Sequence, residues 1–213
     1  MTIDAPALRW GEGRRVDSDF AREQILDAAL RCYQQNTFHK TRMEHIAREA
    51  KVSRTTVYRY FESRDDVLIG VVLRSLRELM ELIGQRVASA PTFAEFIVET
   101  IATTVDHVPH LPLFKIMMKE ATAVVSRVHV GNEEIFALAG MHFKARFDMA
   151  AEAGELRSGI EFEQFMEWII HMGSTFVLVP SARCDAKGIR QMLWRYLVRA
   201  IVKEEVIPAD KRE

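Results

Sequence analysis

From Ser53 to Tyr60 the chain reads Ser-Arg-Thr-Thr-Val-Tyr-Arg-Tyr, which sets cationic and hydroxyl side chains at a spacing suited to the edges of base pairs. Ser53 has the side chain of an N-cap, whose oxygen takes a free amide at a helix start. The turn that follows, Arg54-Thr55-Thr56, is entirely polar. A helix that enters a major groove reads bases with its N-terminal residues. Arginine pairs with guanine through two parallel hydrogen bonds, and threonine takes a hydrogen bond or touches a thymine methyl. Arg54, Thr55, Thr56 and Arg59 are therefore the candidate base contacts. Lys40, Thr41, Arg42 and Arg64 fall at neighbouring helix entrances, where amides and cations favour phosphate. Ser53 joins them as the capping residue, and Tyr58 and Tyr60, two apart, flank the helix and complete the candidate phosphate set.

The charge distribution agrees with this chemistry. Formal net charge is −1 over 213 residues. Between Thr37 and Phe61, however, six basic residues (Lys40, Arg42, Arg48, Lys51, Arg54, Arg59) face two acidic ones (Glu44, Glu49). From Asp65 onward acidic residues outnumber basic ones, 21 to 17. A basic face offset by an acidic partner domain is a pattern that nucleic-acid binders show.

The second half carries a different chemistry. Its aromatic and methionine side chains, Phe96, Phe114, Met117, Met118, Phe143, Trp168, Met172 and Phe176, fall at helical spacing. Such a stripe packs a core or lines an apolar pocket. His107, His142, Arg146 and His171 are the polar groups that could orient a ligand among them. His107-Val108-Pro109-His110 has two imidazoles with a helix-breaking proline between and no third ligand spaced to help, so no metal is expected. Phosphate-binding glycine loops, nucleophile elbows and HExxH motifs are missing, so neither an enzyme nor a cofactor is expected. Cys32 and Cys184 show no CxxC spacing, which fits a reducing cytoplasm. The first 25 residues hold Asp4, Glu12, Asp17, Asp19 and Glu23, and no long uncharged apolar run occurs, so neither a signal peptide nor a membrane span is expected.

These residues need helices to position them. At 48% hydrophobic and 28% charged residues the chain reads as an ordinary globular protein, and its apolar periodicity is helical nearly throughout, so the fold class is all-α. A first helix, capped by Ser18, runs to Asn36 with Phe20, Ile25, Leu26, Ala29, Leu30 and Tyr33 as its buried stripe. Thr41-Arg42-Met43-Glu44 reads as a capping box that opens a second helix to Ala50. The third begins after Ser53, and Ser63-Arg64-Asp65-Asp66 caps a long fourth to Arg86. Phe93–His107, Leu113–Val125, Glu133–Ala153, Phe162–Val179 and Ala186–Glu204 read as further helices. The expected domains are a mobile arm (1–17), a DNA-binding domain (18–64), a connecting helix (65–86), a ligand-binding and dimerisation domain (87–207) and a mobile tail (208–213).

The stretch Ile46-Ala47-Arg48-Glu49-Ala50-Lys51-Val52-Ser53-Arg54-Thr55-Thr56-Val57-Tyr58-Arg59-Tyr60-Phe61, followed by Ser63-Arg64-Asp65-Asp66-Val67-Leu68, resembles the TetR family of repressors. The resemblance covers roughly Phe20 to Leu76. It implies that Ala47, Ala50, Val52 and Ser53 pack a helix-turn-helix, that Tyr58 and Phe61 close it, and that Arg64 meets phosphate. Thr55 departs from the pattern, since glycine is common there. The resemblance further implies a homodimer built as a four-helix bundle from the last two long helices, with Phe165, Ile169, Met172, Phe176, Met192, Arg195, Tyr196 and Arg199 as candidate contacts. Its implied partners are double-stranded, palindromic operator DNA and a small apolar or amphipathic effector. A rival reading, a helical ligand carrier or enzyme with a vestigial DNA-binding domain, predicts ligand binding without duplex preference.

Overall fold

Of the four expected caps, Ser53 and Ser63 start helices and Ser18 and Thr41 do not. The structure, a computed structural model, describes residues 16–119, 133–179 and 186–211. The chain separates into two compact units, Met1–Val71 and Val72–Glu213. Every regular element among the described residues is helical.

In the first unit, α1 (Val16–Gln35) begins ahead of Ser18, which lies inside the helix rather than capping it. Ala21, Ile25, Ala28, Ala29 and Tyr33 make the buried stripe. Phe20, expected in that stripe, is 56% exposed. At 3.6 residues per turn it projects roughly 160° from the centre of the buried arc. A 3-10 turn (Phe38–Lys40) leads to α2 (Met43–Glu49). The expected Thr41–Glu44 capping box does not form. Arg42 is the N-cap instead, its N–H donating to His45 Nδ1 at 3.3 Å. The Thr41 hydroxyl donates to the Thr37 carbonyl at 3.1 Å, which ties it to the 3-10 turn that precedes α2.

Helix α2 ends in a Schellman motif: Val52 N–H reaches the Ala47 carbonyl at 3.0 Å and Lys51 N–H the Arg48 carbonyl at 3.1 Å. Lys51 takes the left-handed position at φ 56°. Helix α3 (Arg54–Tyr60) follows after the Ser53 cap. Helix α4 (Arg64–Val87) opens with a reciprocal box, in which Asp66 N–H donates to Ser63 Oγ at 3.1 Å and Ser63 N–H to Asp66 Oδ2 at 2.8 Å. Gly70 permits close packing there, since a Cβ would stand 2.9 Å from Leu26 Cδ2 and 3.0 Å from the Phe61 ring.

In the second unit, α5 (Phe93–His107) is capped by Thr92, whose Oγ1 accepts from Glu95 N–H at 3.2 Å. Helices α6 (Pro112–Lys119), α7 (Glu133–Glu152) and α8 (Phe162–Leu178) follow. The expected continuation of α6 to Val125 lies outside the described residues. The core centres on Phe165, with ring centroids of Phe93, Phe143 and Phe147 at 5.8, 5.8 and 5.4 Å. The last expected helix is a composite of α9 (Ala186–Met192), a π-helical segment (Leu193–Val198) and a closing turn, α10 (Arg199–Ile201). It stops short of Glu204 because Val202 becomes extended and bridges antiparallel to Leu156. Arg157 N–H to the Ile201 carbonyl (2.8 Å) and Lys203 N–H to the Glu155 carbonyl (2.9 Å) replace helical bonds there. Within the tail, Ala209–Lys211 form a 3-10 turn; residues 212–213 and arm residues 1–15 lie outside the described residues. No helix among the described residues is long and apolar enough to cross a membrane.

Candidate nucleic-acid interface and ligand cavity

The leading turn of α3 is built by its cap. Ser53 Oγ accepts from Thr56 N–H at 3.0 Å and lies 2.8 Å from the Thr56 hydroxyl, which fixes both side chains at the helix entrance. Val57, on the opposite side, is fully buried and anchors the helix to the unit's core. Ser53, Thr55, Thr56, Tyr58 and Arg59 line one shallow concavity. The two arginines are held in set directions. Arg54 lies over the Tyr58 ring at 5.4 Å, its Nη2 3.5 Å from the Tyr58 hydroxyl, and its Nη1 pairs with Glu44 Oε1 at 2.9 Å. Arg59 lies over the Tyr60 ring at 5.0 Å and donates to the Tyr60 hydroxyl at 3.1 Å. The Tyr58 hydroxyl, and then Glu44, push the Arg54 guanidinium further toward its charged form. Glu44's own backbone amide, with Arg54 adding to it, holds that carboxyl below the usual carboxylate range.

Lys40, Arg42, Arg54, Thr55, Tyr58 and Arg59 are exposed, whereas Thr56 and Tyr60 are half-buried. Of the residues expected at phosphates, Thr41 is closed off within the protein and Arg64 also packs against it. Thr41 is fully buried, its hydroxyl bonded to the Thr37 carbonyl. Arg64 donates to the His39 carbonyl at 3.2 Å and lies over the Phe38 ring at 4.5 Å, so it fastens the start of α4 to the turn ahead of α2. Glu44 and Lys51 were missed as functional neighbours by sequence reasoning. An acid beside a basic helix reads as solvated surface, and a lysine does not announce a left-handed residue as glycine would.

The second unit contains an apolar cavity of about 230 Å³. Leu76, Leu79 and Met80 of α4 line it together with Ile101 of α5, Phe114 of α6, and Ile170 and Val177 of α8. Of the expected ligand residues, Phe114 and Phe143 line it. Phe96 is buried in the aromatic core. His142 stacks on Phe96 at 5.2 Å, with its Nε2 3.4 Å from Thr100 Oγ1, and burial lowers its pKa from the ordinary histidine value. Arg146 donates to the Ala90 carbonyl at 2.7 Å, and His107 Nδ1 lies 3.2 Å from the Thr103 carbonyl. Met172 and Phe176 pack half-buried against the core. Trp168 and His171 face outward, exposed, and not into the cavity. Met117 and Met118 belong to α6, but their side chains lie outside the described residues. The sequence reading also missed Thr100 and Thr104, which line the cavity; their spacing of four residues on an apolar helix was the available signal.

Two residues expected at a dimer interface, Phe165 and Ile169, are buried within the unit's own core, and Ile169 also lines the cavity. Arg199 is half-buried, while Met192, Arg195 and Tyr196 are exposed. Trp168 at 48% and Tyr196 at 66% are the largest aromatic side chains exposed on α8 and on the π-helical segment.

Residues 25–71 match the family model described as bacterial regulatory proteins, tetR family. The chain is 31% identical over 189 residues to an uncharacterized HTH-type transcriptional regulator of Mycobacterium tuberculosis, covering 89% of this chain and 88% of that one. Among solved structures, it is similar to the TetR-family transcriptional repressor QsdR of R. erythropolis, with TM-score 0.63, 15% identity and coverage of 87% and 97% of the two chains. It is also similar to FadR of Bacillus subtilis, solved in complex with stearoyl-CoA, with TM-score 0.55, 18% identity and coverage of 80% and 96%. A capped, basic, polar α3 following a tight turn thus meets a relative that spans nearly the whole chain, and the protein belongs to the TetR family of helix-turn-helix, DNA-binding transcriptional regulators.

Proposed function

We propose that the protein is a cytoplasmic repressor that binds a palindromic operator as a homodimer and is released when a small, largely apolar ligand enters the cavity of its second unit. The observation that carries this reading is α3, whose outer side gathers Ser53, Thr55, Thr56, Tyr58 and Arg59 in one concavity while Val57 anchors its inner side. Arg54, Thr55, Thr56 and Arg59 read bases; Lys40, Arg42, Ser53, Tyr58, Tyr60 and Arg64 hold phosphates. Residues 18–64 form the DNA-binding domain and 87–207 the ligand-binding and dimerisation domain. Two recognition helices spaced by one turn of duplex, about 34 Å, match two half-sites.

Helix α4 is the coupling element. Its first residues belong to one unit and its Leu76, Leu79 and Met80 to the wall of the cavity. A ligand that prefers one setting of α4 shifts the balance between operator-binding and released states, and coupling of about 1–3 kcal/mol is typical.

The test is enrichment of bound duplexes from a random pool at salt high enough to suppress purely phosphate-driven association. A recovered palindrome is the expected result. Failure to enrich any sequence would instead favour a ligand carrier or enzyme that has lost DNA binding.

A further inference from the structure

Of the four hydroxyls on the cavity wall, those of Ser75, Thr100, Thr104 and Ser174, two are turned away from a guest as donors. Thr104 donates its hydrogen to the Thr100 carbonyl at 2.8 Å, and the Ser174 hydroxyl donates to the Ile170 carbonyl. A hydroxyl has one hydrogen and two lone pairs. Once the hydrogen is given to a carbonyl one turn back, the oxygen offers the cavity an acceptor. Thr100, one turn before Thr104 on α5, has its own oxygen 3.4 Å from His142 Nε2, and that imidazole is fixed by stacking on Phe96 at 5.2 Å. Around these oxygens the wall is hydrocarbon: Leu76, Leu79 and Met80 on one side, Ile101, Phe143 and Ile170 on the others.

Size narrows the guest further. A dry apolar cavity of roughly 150 Å³ takes benzene. The cavity here, at about 230 Å³, has room for a ring with a short alkyl chain or for a medium-length aliphatic chain. A carboxylate at Thr104 would set acceptor against acceptor and lose its water in an apolar surround, which is costly.

We propose that the cavity selects an uncharged, mainly hydrocarbon molecule of alkylphenol or medium-chain alcohol size that donates one hydrogen bond to the Thr100–Thr104 oxygens. The inference rests on this cavity being the effector site and names the chemical class of the effector.

Calorimetric titration of the full-length protein with 4-butylphenol, 4-butylanisole and 4-butylbenzoate separates the terms. The phenol should bind tightest. The anisole, which has the same body and no donor, should bind about tenfold weaker, as expected for one lost hydrogen bond. The benzoate should bind at least about 100-fold weaker than the phenol. Thr104→Val, which keeps the shape and removes the oxygen, should shrink the phenol-to-anisole ratio below about threefold and leave anisole affinity within about twofold. Thr100→Val gives a second reading of the same ratio should Thr104→Val fail to fold. Benzoate binding as tightly as phenol, equal affinities for phenol and anisole, or no binding of any of the three would overturn the inference.

Repeating the phenol titration with the enriched operator duplex present distinguishes the two levels of the reading. A fall in operator affinity supports both. Unchanged operator affinity with the expected ligand ranking leaves the ligand class standing and overturns release by that ligand.

Discussion

Arg54 has more partners within the protein than any other candidate base contact. It lies over Tyr58 and pairs with Glu44 at 2.9 Å, so its guanidinium is aimed before DNA arrives and little rotamer freedom is left to lose on binding. Replacing Arg54 by alanine should cost about 1–3 kcal/mol against the enriched operator and much less against random duplex, because a bidentate base contact carries sequence preference and a phosphate contact does not. Fluorescence anisotropy with both duplexes measures the gap; equal losses would reassign Arg54 to the backbone. Lys51 makes a separate prediction. Its φ of 56° puts a side chain in a region that costs an L-residue about 1–2 kcal/mol. Glycine recovers that cost but gives back part of it through a freer unfolded chain. Lys51→Gly should therefore stabilise the protein by about 0.5–1 kcal/mol, seen as a raised thermal midpoint, and an unchanged or lower midpoint would mean that the Schellman turn relaxes around lysine without strain.

At the scale of elements, α5 and α7 meet through an imidazole. His142 is packed against Phe96 and Phe143 and reaches Thr100. Burial lowers its pKa in the folded state, so below the ordinary histidine pKa the unfolded chain binds more protons than the folded one. Stability then rises with pH across that window and is lost on acidification. Chemical unfolding followed between about pH 7.5 and 5.5 should show this fall, and His142→Gln should flatten it; a variant with the wild-type slope would place the effect at another group. Elements of this kind were legible where local rules decide. Ser53 and Ser63 cap where they were expected to, Thr92 caps α5 without having been singled out, and the bounds of α3 and α5 agree with periodicity and the breaks around them. Direction was harder. Trp168 and Phe165 lie three residues apart on α8, one exposed and one buried, and only the packing of α5 and α7 against that helix decides which is which. Thr41 has the side chain of a cap, but it is buried against the preceding turn with its hydroxyl on the Thr37 carbonyl, and α2 starts one residue later, with Arg42 at the cap. The break at Val202 comes from pairing with Leu156, far away in sequence, a contact no local pattern announces.

For the whole molecule, the proposed dimer can be tested through the large apolar side chains exposed on its candidate face. Trp168, Met192 and Tyr196 are exposed at 48%, 39% and 66%, on the two elements from which the proposed dimer is built. Aromatic and methionine side chains are enriched at association surfaces, so these three are the ones the proposed partner would cover. Phe165, by contrast, is buried among Phe93, Phe143 and Phe147. The two kinds of residue should therefore respond differently to substitution. Tyr196→Glu should leave the helical circular dichroism intact while sedimentation velocity shows monomers at concentrations where the wild type is dimeric. Its affinity for the full palindrome should fall toward that for a single half-site, since each monomer then binds alone. Phe165→Ala should lower stability by about 3–5 kcal/mol, the cost of emptying a core aromatic site, and should change assembly only insofar as it unfolds the chain. A Tyr196→Glu protein that stays dimeric and keeps its full operator affinity would move the interface off this face, and the operator's half-site spacing would then have to be explained by a different pair of helices.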